Sequence, residues 1–425
     1  MEALQKFLEK WLMPIASKIE KQRHLQSIKD GMIGVIPFVV VGSMCLLPTA
    51  FMNLLGSGPV YDALSAVNPF FSKIAGFTND WVSIYAAYLI ARSLAKRYDI
   101  DGPMLGISAI AVHLILVGYT VDAGDGVTAF GTSYVGATGL FVSIIGAIMT
   151  VEITNALIKH HVVITLPDSV PSMVAESFSA LIPLFATAAA GSLIATLCST
   201  FAGATFPQVI MNLLAPAISS MDSLPALLIV MFLTQLLWFF GLHGPSITQA
   251  VWAPFALTYT AENAAAFAAG ETVTHVFTYG FYYNIMQVTG SGLTLFLVIF
   301  MMFSKSDTYK AIGRAAIVPS IFGINEPVIY GAPVMLNPFL FIPFVFGPVI
   351  CTAIAYLSMT SGIVAMPVIN PPGFLPPGVS AYLMTLDWKS VVLVFLLLIF
   401  MGLLYYPFFK AMEKNQVAEE KGLEA

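Results

Sequence analysis

The chain has 425 residues, of which 58% are hydrophobic and 10% are charged, and its formal net charge is -5. This composition is far too apolar for a soluble globular protein, and it indicates a membrane protein. The modest net charge gives no indication of a nucleic-acid partner. The three cysteines, Cys45, Cys198 and Cys351, lack the paired spacing of a disulfide framework or a metal site.

Residues 1–30 predict an amphipathic helix at the start of the chain. Apolar residues recur there at helical spacing, with Lys and Glu on the opposite face; they are Leu4, Phe7, Leu8, Trp11, Leu12, Ile15 and Ile19. The aromatic ring and the lysines suit the membrane–water interface. We expect this helix to lie on the cytoplasmic membrane surface as an anchor without chemistry.

Ten apolar segments follow, most of them close to the 20 residues or so that a membrane-crossing helix needs. They are Gly31–Met52, Trp81–Ala91, Gly102–Val121, Ala129–Val151, Phe178–Phe201, Pro225–Leu242, Pro245–Thr260, Val276–Phe303, Leu336–Leu357 and Val391–Phe409. The second is short and the seventh is the least secure. The pattern predicts an all-α, polytopic membrane protein with about ten transmembrane helices.

Basic residues predict the orientation of these spans. If the N-terminus is cytoplasmic, the Lys and Arg residues flanking the spans fall inside, and only Lys73 and Lys389 fall outside. This asymmetry follows the positive-inside rule. We therefore expect an even number of crossings, with both termini in the cytoplasm.

The two halves of the chain differ in character. In residues 31–206 the spans are regular, which predicts a scaffold and oligomer-forming half. Residues 207–224 form a linker with a short interfacial helix. In residues 225–410 glycine and proline interrupt long uncharged runs, which predicts the ligand-binding half, and residues 411–425 read as a cytoplasmic tail.

One carboxylate stands out in the second half. Between Arg314 and Asp387 the single charged side chain is Glu326, within Gly323-Ile324-Asn325-Glu326-Pro327. Six prolines between 317 and 350 argue against an unbroken helix, because each interior proline removes a backbone hydrogen bond. Broken backbone at membrane depth needs protein or a water-filled cavity around it. Glu326 is thus a candidate site residue; the alternative is an interfacial glutamate near a helix end.

A second polar segment ends the sixth predicted span. In Trp238-Phe239-Phe240-Gly241-Leu242-His243-Gly244-Pro245 the glycines permit unusual backbone angles around His243. His243 is either a ligand contact or a core histidine bonded to a carbonyl. Trp238 is either a stacking platform or an interfacial residue, and Asn284 is either a ligand or a helix–helix contact.

Two broken membrane segments with polar residues are typical of transporter binding sites. Aromatic rings beside the Glu326 carboxylate, the Asn325 amide and the His243 imidazole suit a neutral polyhydroxylated ligand. No cluster of arginines is present in the second half to hold an anionic substrate. A neutral sugar is favoured, although composition leaves a peptide or a nucleoside open.

These residues resemble a known family. Phe240-Gly241-Leu242-His243-Gly244 and Gly323-Ile324-Asn325-Glu326-Pro327 are similar to the signatures of the membrane subunit, enzyme IIC, of bacterial sugar phosphotransferase systems, in the lactose, cellobiose and diacetylchitobiose branch. Thr289-Gly290-Ser291-Gly292-Leu293-Thr294-Leu295 resembles the family's Gly-rich segment. The resemblance covers essentially the whole chain, and Leu242 stands where isoleucine is common.

The resemblance implies a homodimer in the bacterial cell membrane with re-entrant hairpins in its sugar-binding half. Such a protein binds a disaccharide and presents its 6-hydroxyl to a separate phosphorylated IIB protein. Glu326 would contact that hydroxyl and could act as a base, His243 would contact the sugar, and no cofactor is implied. The chain alone would be a carrier rather than a complete enzyme.

Two alternatives stay open from the residues themselves. A proton-coupled sugar transporter would use Glu326 as its proton carrier. A polytopic membrane transferase would use His243 as a base, although no nucleophile, metal cluster or phosphate-binding loop accompanies it. The sequence does not distinguish cellobiose, diacetylchitobiose and lactose, and it leaves the role of the Pro-rich segment 370–377 open.

Overall fold

The computed structural model describes residues 18, 21–100, 102–124, 126–167, 169–332, 334–373 and 375–421. Nearly all of the predicted amphipathic helix therefore lies outside the described residues. The chain divides into two compact units, Lys18–Ser219 and a second unit that begins at Ser220. This division falls within the predicted linker.

The first unit is almost entirely helical. Its helices are α1 (Arg23–Cys45), α2 (Leu47–Leu55), α3 (Pro59–Thr78), α4 (Val82–Lys96), α5 (Gly102–Val117), α6 (Leu140–Lys159), α7 (Ser172–Ser179), α8 (Leu181–Leu197) and α9 (Phe206–Met221). Between α5 and α6, strands β1 (Thr120–Asp122) and β2 (Thr128–Phe130) form an antiparallel hairpin in which Val121 pairs with Ala129. The all-α prediction missed this hairpin, because three-residue strands carry too little periodicity to be recognised.

Helix α4 lies at the centre of this unit, against α1, α5 and α6. Its alanines, among them Ala87 and Ala91, are fully buried. Small residues let helix backbones approach closely where apolar burial from lipid gives no driving force. The α1–α4 contact shows the same principle, because a Cβ added at Gly31 would collide with the Ile90 side chain.

The second unit alternates long helices with short, broken ones. Its elements are α10 (Leu224–Phe239), α11 (Gly244–Ala268), α12 (Tyr279–Phe281) with a π-helical turn at Tyr282–Met286, α13 (Leu295–Met302), α14 (Asp307–Ile321), α15 (Glu326–Gly331), a π-helical turn at Ile342–Phe346, α16 (Gly347–Thr360), α17 (Val379–Thr385) and α18 (Trp388–Glu420). The glycine and proline punctuation of the sequence thus corresponds to real interruptions.

Five helices in the described residues are long and apolar enough to cross a membrane: Arg23–Thr49, Ala137–Lys159, Val174–Ala202, Ile342–Thr360 and Trp388–Glu420. The number of candidate spans rises to six if one bent pair of helices, Phe206–Met221 and Leu224–Phe239 with a bend of 74°, is counted as a single span. The predicted count of ten is not confirmed. Apolar length alone overestimates the number of long helices because it does not register where a segment breaks.

The eighth predicted span, Val276–Phe303, shows such a break. It is not one helix, because α12 and its π-helical turn end at Met286 and α13 begins at Leu295. Between them Thr289, Gly290 and Leu293 have positive φ angles of 68°, 90° and 50°. Such angles are rare for residues other than glycine and cannot continue a helix.

The final helix is longer than predicted, since α18 runs to Glu420, past the predicted boundary at 410. Its carboxylates hold the turn before α14: Glu413 accepts a hydrogen bond from Ser304 Oγ at 2.7 Å, and Glu420 accepts one from Ser306 Oγ at 2.6 Å. The described part of the predicted tail is therefore a structural support for α14, the helix that leads to Glu326.

Candidate functional site

His243 lies at the turn between α10 and α11. Helix α10 ends at Phe239, and Gly241, with a φ of 80°, reverses the chain. His243 then caps α11, because its Nδ1 accepts a hydrogen bond from the Ser246 backbone N–H at 3.1 Å. A neutral imidazole with Nδ1 as the acceptor carries its proton on Nε2. The ring of His243 is exposed, and its predicted contact with a ligand stays a prediction.

Trp238, which precedes the first signature segment, contacts His243 within that segment and Tyr330, which follows the second segment. Its ring lies 4.5 Å from the His243 ring and 6.1 Å from the Tyr330 ring, centroid to centroid. The side chain is buried, and its indole N–H has no hydrogen-bond partner among the described residues. A buried indole N–H normally finds a partner. The indole N–H of Trp238 is thus an unsatisfied donor that the surrounding protein encloses.

Glu326 begins the short helix α15 and is half-buried. Its carboxylate makes no hydrogen bond or ion pair with any residue that the structure describes. Tyr330, one turn later and on the same helix face, packs toward Trp238. The Leu336 N–H also donates to the Phe239 carbonyl at 2.9 Å, so the segments after α10 and α15 lie side by side.

Asn325 is engaged within the protein. It is buried, and its Nδ2 donates to the Ser291 carbonyl and to Thr294 Oγ1, the latter at 3.2 Å. Gly290 leaves room for this amide, since a Cβ there would stand 2.5 Å from Asn325 Cγ. The amide therefore ties the Asn-Glu-Pro turn to the Gly-rich segment, while the predicted sugar contact of Asn325 stays a prediction.

A series of hydrogen bonds begins at Ser291, the residue that Asn325 contacts, and runs toward α10 and α11. Ser291 Oγ donates to Gln287 Oε1 at 2.8 Å, and Gln287 Nε2 donates to the Tyr282 hydroxyl at 2.7 Å. Tyr282 contacts Thr234 Oγ1 at 3.4 Å, and Thr234 Oγ1 lies 2.8 Å from Thr248 Oγ1. We call these five residues the polar chain. It connects the turn before Glu326 with the first turns of the helix that His243 caps.

The sequence reasoning missed the polar chain, although a signal was present. Its members Tyr282 and Gln287 are polar residues within uncharged segments, the same criterion that singled out Asn284. The π-helical turn at Tyr282–Met286 carries both Tyr282 and Asn284, and such turns are frequent at functional sites. Asn284 itself is buried and donates to the Gly280 carbonyl at 3.0 Å within its own helix.

An ion-pair cluster at the other end of α10 and α11 was also missed. His275 Nδ1 lies 3.0 Å from Asp222 Oδ2, and its Nε2 lies 2.9 Å from Glu262 Oε2. Burial by itself lowers the pKa of His275, but the hydrogen bonds to both carboxylates outweigh it and raise that pKa to about 9. Asp222 Oδ1 also accepts the N–H groups of Val276 and Phe277, so the cluster fixes the segment before α12.

Comparisons with known proteins agree with this architecture. The family model of the phosphotransferase system, EIIC, matches residues 29–348. The cellobiose-specific EIIC component of Geobacillus stearothermophilus is 34% identical over 441 residues, which cover 99% of this chain and 97% of that protein. The lactose-specific EIICB component of Staphylococcus haemolyticus (strain JCSC1435) is 29% identical over 423 residues, covering 96% of this chain and 70% of that protein.

A solved structure has the same fold. The crystal structure of the transporter ChbC, the IIC component from the N,N'-diacetylchitobiose-specific phosphotransferase system, matches with a TM-score of 0.90 and 31% identity. The match covers 98% of this chain and 100% of that chain. The chain therefore belongs to the EIIC family of the phosphotransferase system.

Proposed function

We propose that this EIIC protein binds a β-linked disaccharide of the cellobiose, diacetylchitobiose or lactose type and carries it across the membrane. It would present the sugar's 6-hydroxyl to a separate phosphorylated IIB protein. The disaccharide class rests on the names of the relatives, which are specific for cellobiose, lactose and N,N'-diacetylchitobiose.

One observation carries the proposal: the half-buried Glu326 carboxylate lacks a partner within the described residues and lies one turn from Tyr330. The Tyr330 ring packs toward Trp238, whose own ring contacts His243. A carboxylate that accepts sugar hydroxyls makes charge-assisted hydrogen bonds, roughly twice as strong as neutral ones. The His243 Nε2–H can donate to a further hydroxyl. Aromatic rings beside these groups suit the apolar face of a sugar.

In this arrangement Glu326 would hold the hydroxyl that becomes phosphorylated and assist its deprotonation. Trp238, Asn325 and Asn284 would complete the site, Trp238 by supporting the His243 ring that it contacts and Asn325 chiefly by positioning the turn before Glu326. The phosphoryl group would come from another polypeptide, the IIB protein. We further propose a homodimer in the bacterial cell membrane, as the family resemblance implies. Both termini would be cytoplasmic, as the basic residues predict.

The test is equilibrium binding of labelled disaccharides to purified wild-type protein and to the variants Glu326→Gln and His243→Ala. An unpaired buried polar partner costs about 1–3 kcal/mol, so each variant should lose about 5- to 150-fold in affinity. Glu271→Gln, which changes an exposed glutamate in the same unit, is the matched control and should bind like the wild type. Unchanged affinity in both site variants would refute the site.

A transport assay separates group translocation from proton coupling. Vesicles that contain the protein and a phosphorylated IIB protein should accumulate sugar phosphate, and none should form without IIB. If a pH gradient alone drives the accumulation of unmodified sugar, the proton-coupled alternative is correct. Glu326→Gln should reduce phosphorylation more than binding if Glu326 acts as a base, and equally if it only binds.

A further inference from the structure

An open groove of about 380 Å³ lies where the end of α16 meets the beginning of α18. Val364, Leu393 and Leu397 are buried and form its floor, while Trp388 and Leu396 stand exposed at its sides. The volume falls in the range of small-molecule sites, about 300–1,000 Å³. The lining is almost entirely hydrocarbon, so its occupant must be apolar over most of its length.

The ends of two candidate membrane spans indicate that the groove is near the membrane–water boundary. Helix α16 ends the candidate span Ile342–Thr360, and α18 begins the candidate span Trp388–Glu420. A groove that both span ends line is therefore within reach of lipid chains on one side and of headgroups on the other. The exposed Trp388 ring fits this depth, because tryptophan is enriched where the bilayer meets water.

The polar end of the groove carries a basic residue, Lys389, that has no ion-pair partner among the described residues. Lys389 is the single basic residue between Arg314 and Lys410, and it is one of two that fall outside in the predicted topology. It is exposed, and its ammonium makes no ion pair with the described residues. The neighbouring Asp387 carboxylate faces the backbone, where it accepts the N–H groups of Ala365 and Lys389, each at 3.0 Å.

We propose that this groove binds a phospholipid. The lipid phosphate pairs with the Lys389 ammonium, and one acyl chain lies along the floor formed by Leu393 and Leu397. Lysine binds phosphate as a point charge, and the pairing is strong here because the ammonium lies beside a low-dielectric membrane surface. A phospholipid is the molecule that joins an anionic phosphate to a long apolar chain at this depth.

The test is a titration of detergent-solubilised protein with phosphatidylglycerol, followed by native mass spectrometry of the first bound lipid. Lys389→Met keeps the unbranched shape and most of the length of the side chain and removes the charge. It should weaken the first binding event about tenfold, the weight of one charge-assisted hydrogen bond. Leu396→Trp narrows the groove from its side and should weaken binding similarly while the ammonium stays in place.

Matched controls make the result decisive. Lys73→Met removes the other lysine of the same predicted side, in the other unit, and should leave the affinity unchanged. Diacylglycerol has the chains without the phosphate and should compete poorly, and inorganic phosphate should not compete. Equal losses in Lys389→Met and Lys73→Met, or unchanged binding in Leu396→Trp, would overturn the proposal. Unaltered disaccharide binding by each variant serves as the check that it has folded.

Discussion

Replacing Gln287 by methionine tests whether the polar chain supports the candidate site. The two side chains have similar volume, but methionine cannot donate to the Tyr282 hydroxyl, and its thioether sulfur is only a weak acceptor for Ser291 Oγ. In the wild type these two hydrogen bonds measure 2.7 and 2.8 Å. A buried polar group left without a partner costs about 1–3 kcal/mol. Weakening the hydrogen bond of the Ser291 hydroxyl should cost free energy in this range. The lost bond at Tyr282 should cost less, because the Tyr282 hydroxyl keeps its contact with Thr234.

The loss should reach the site through Asn325, whose Nδ2 is held by the Ser291 carbonyl. We expect the disaccharide affinity of Gln287→Met to fall about tenfold, which corresponds to about 1.4 kcal/mol. The assay is isothermal titration of the sugar into purified protein. Thermal unfolding is measured in parallel, so that weakened binding can be separated from loss of folded protein.

A double-mutant cycle then decides whether the chain acts as a unit. In the free energy of disaccharide binding, Gln287→Met and Asn325→Ala should show a coupling energy of about 0.5–3 kcal/mol, the range for residues of one hydrogen-bond network. The control is Asn263→Ala, which removes a buried amide bonded elsewhere, to the His275 and Pro367 carbonyls. Its effect should add to that of Gln287→Met within about 0.5 kcal/mol. Wild-type affinity in Gln287→Met, together with additivity toward Asn325→Ala, would refute the reasoning.

Three further changes have defined outcomes. Gly290→Ala should lower the unfolding free energy by about 1–3 kcal/mol and abolish sugar binding, because the residue has a φ of 90° and its Cβ would press on Asn325. His275→Gln should remove a pH dependence of stability. In the wild type the protonated ring contributes at most about 3 kcal/mol, fully below a pH of about 6.5, and this is lost as the pH rises through about 9, the folded-state pKa. Gly31→Leu should lower the melting temperature because the new side chain meets Ile90, and adding Ile90→Ala should restore part of it.

Each of these has a control or a contrary result. Gly124→Ala has a similar φ of 87° but open space around its Cβ, so it isolates the backbone strain and should leave sugar binding intact. A wild-type melting temperature that stays constant between pH 6.5 and 9 relative to His275→Gln would contradict the assignment of the ion pairs. If Ile90→Ala worsens Gly31→Leu, the close approach of α1 and α4 is not the cause.

The sequence alone predicted much that is local. Apolar composition identified a membrane protein, and the family model and the long apolar helices confirm that class. Glycines at 241 and 244 predicted unusual backbone next to His243; Gly241 has a positive φ angle of 80°, whereas Gly244 begins α11. The predictions of class and of Gly241 held because hydropathy and glycine placement report on short stretches of chain, where the physical cause lies within a few residues.

What depended on distant contacts became visible only in the tertiary structure. Asn325 reaches a carbonyl 34 residues away, and Glu420 reaches a serine 114 residues away, so their roles in holding turns carry no local signature. The break between Met286 and Leu295 likewise lies in a segment whose apolar length alone predicted one continuous helix. The sequence by itself determined the membrane class and nominated the candidate polar residues. The tertiary structure decided which of these candidates hold the backbone, as Asn325 does, because a buried polar group is satisfied by whatever partner folding brings within hydrogen-bond distance.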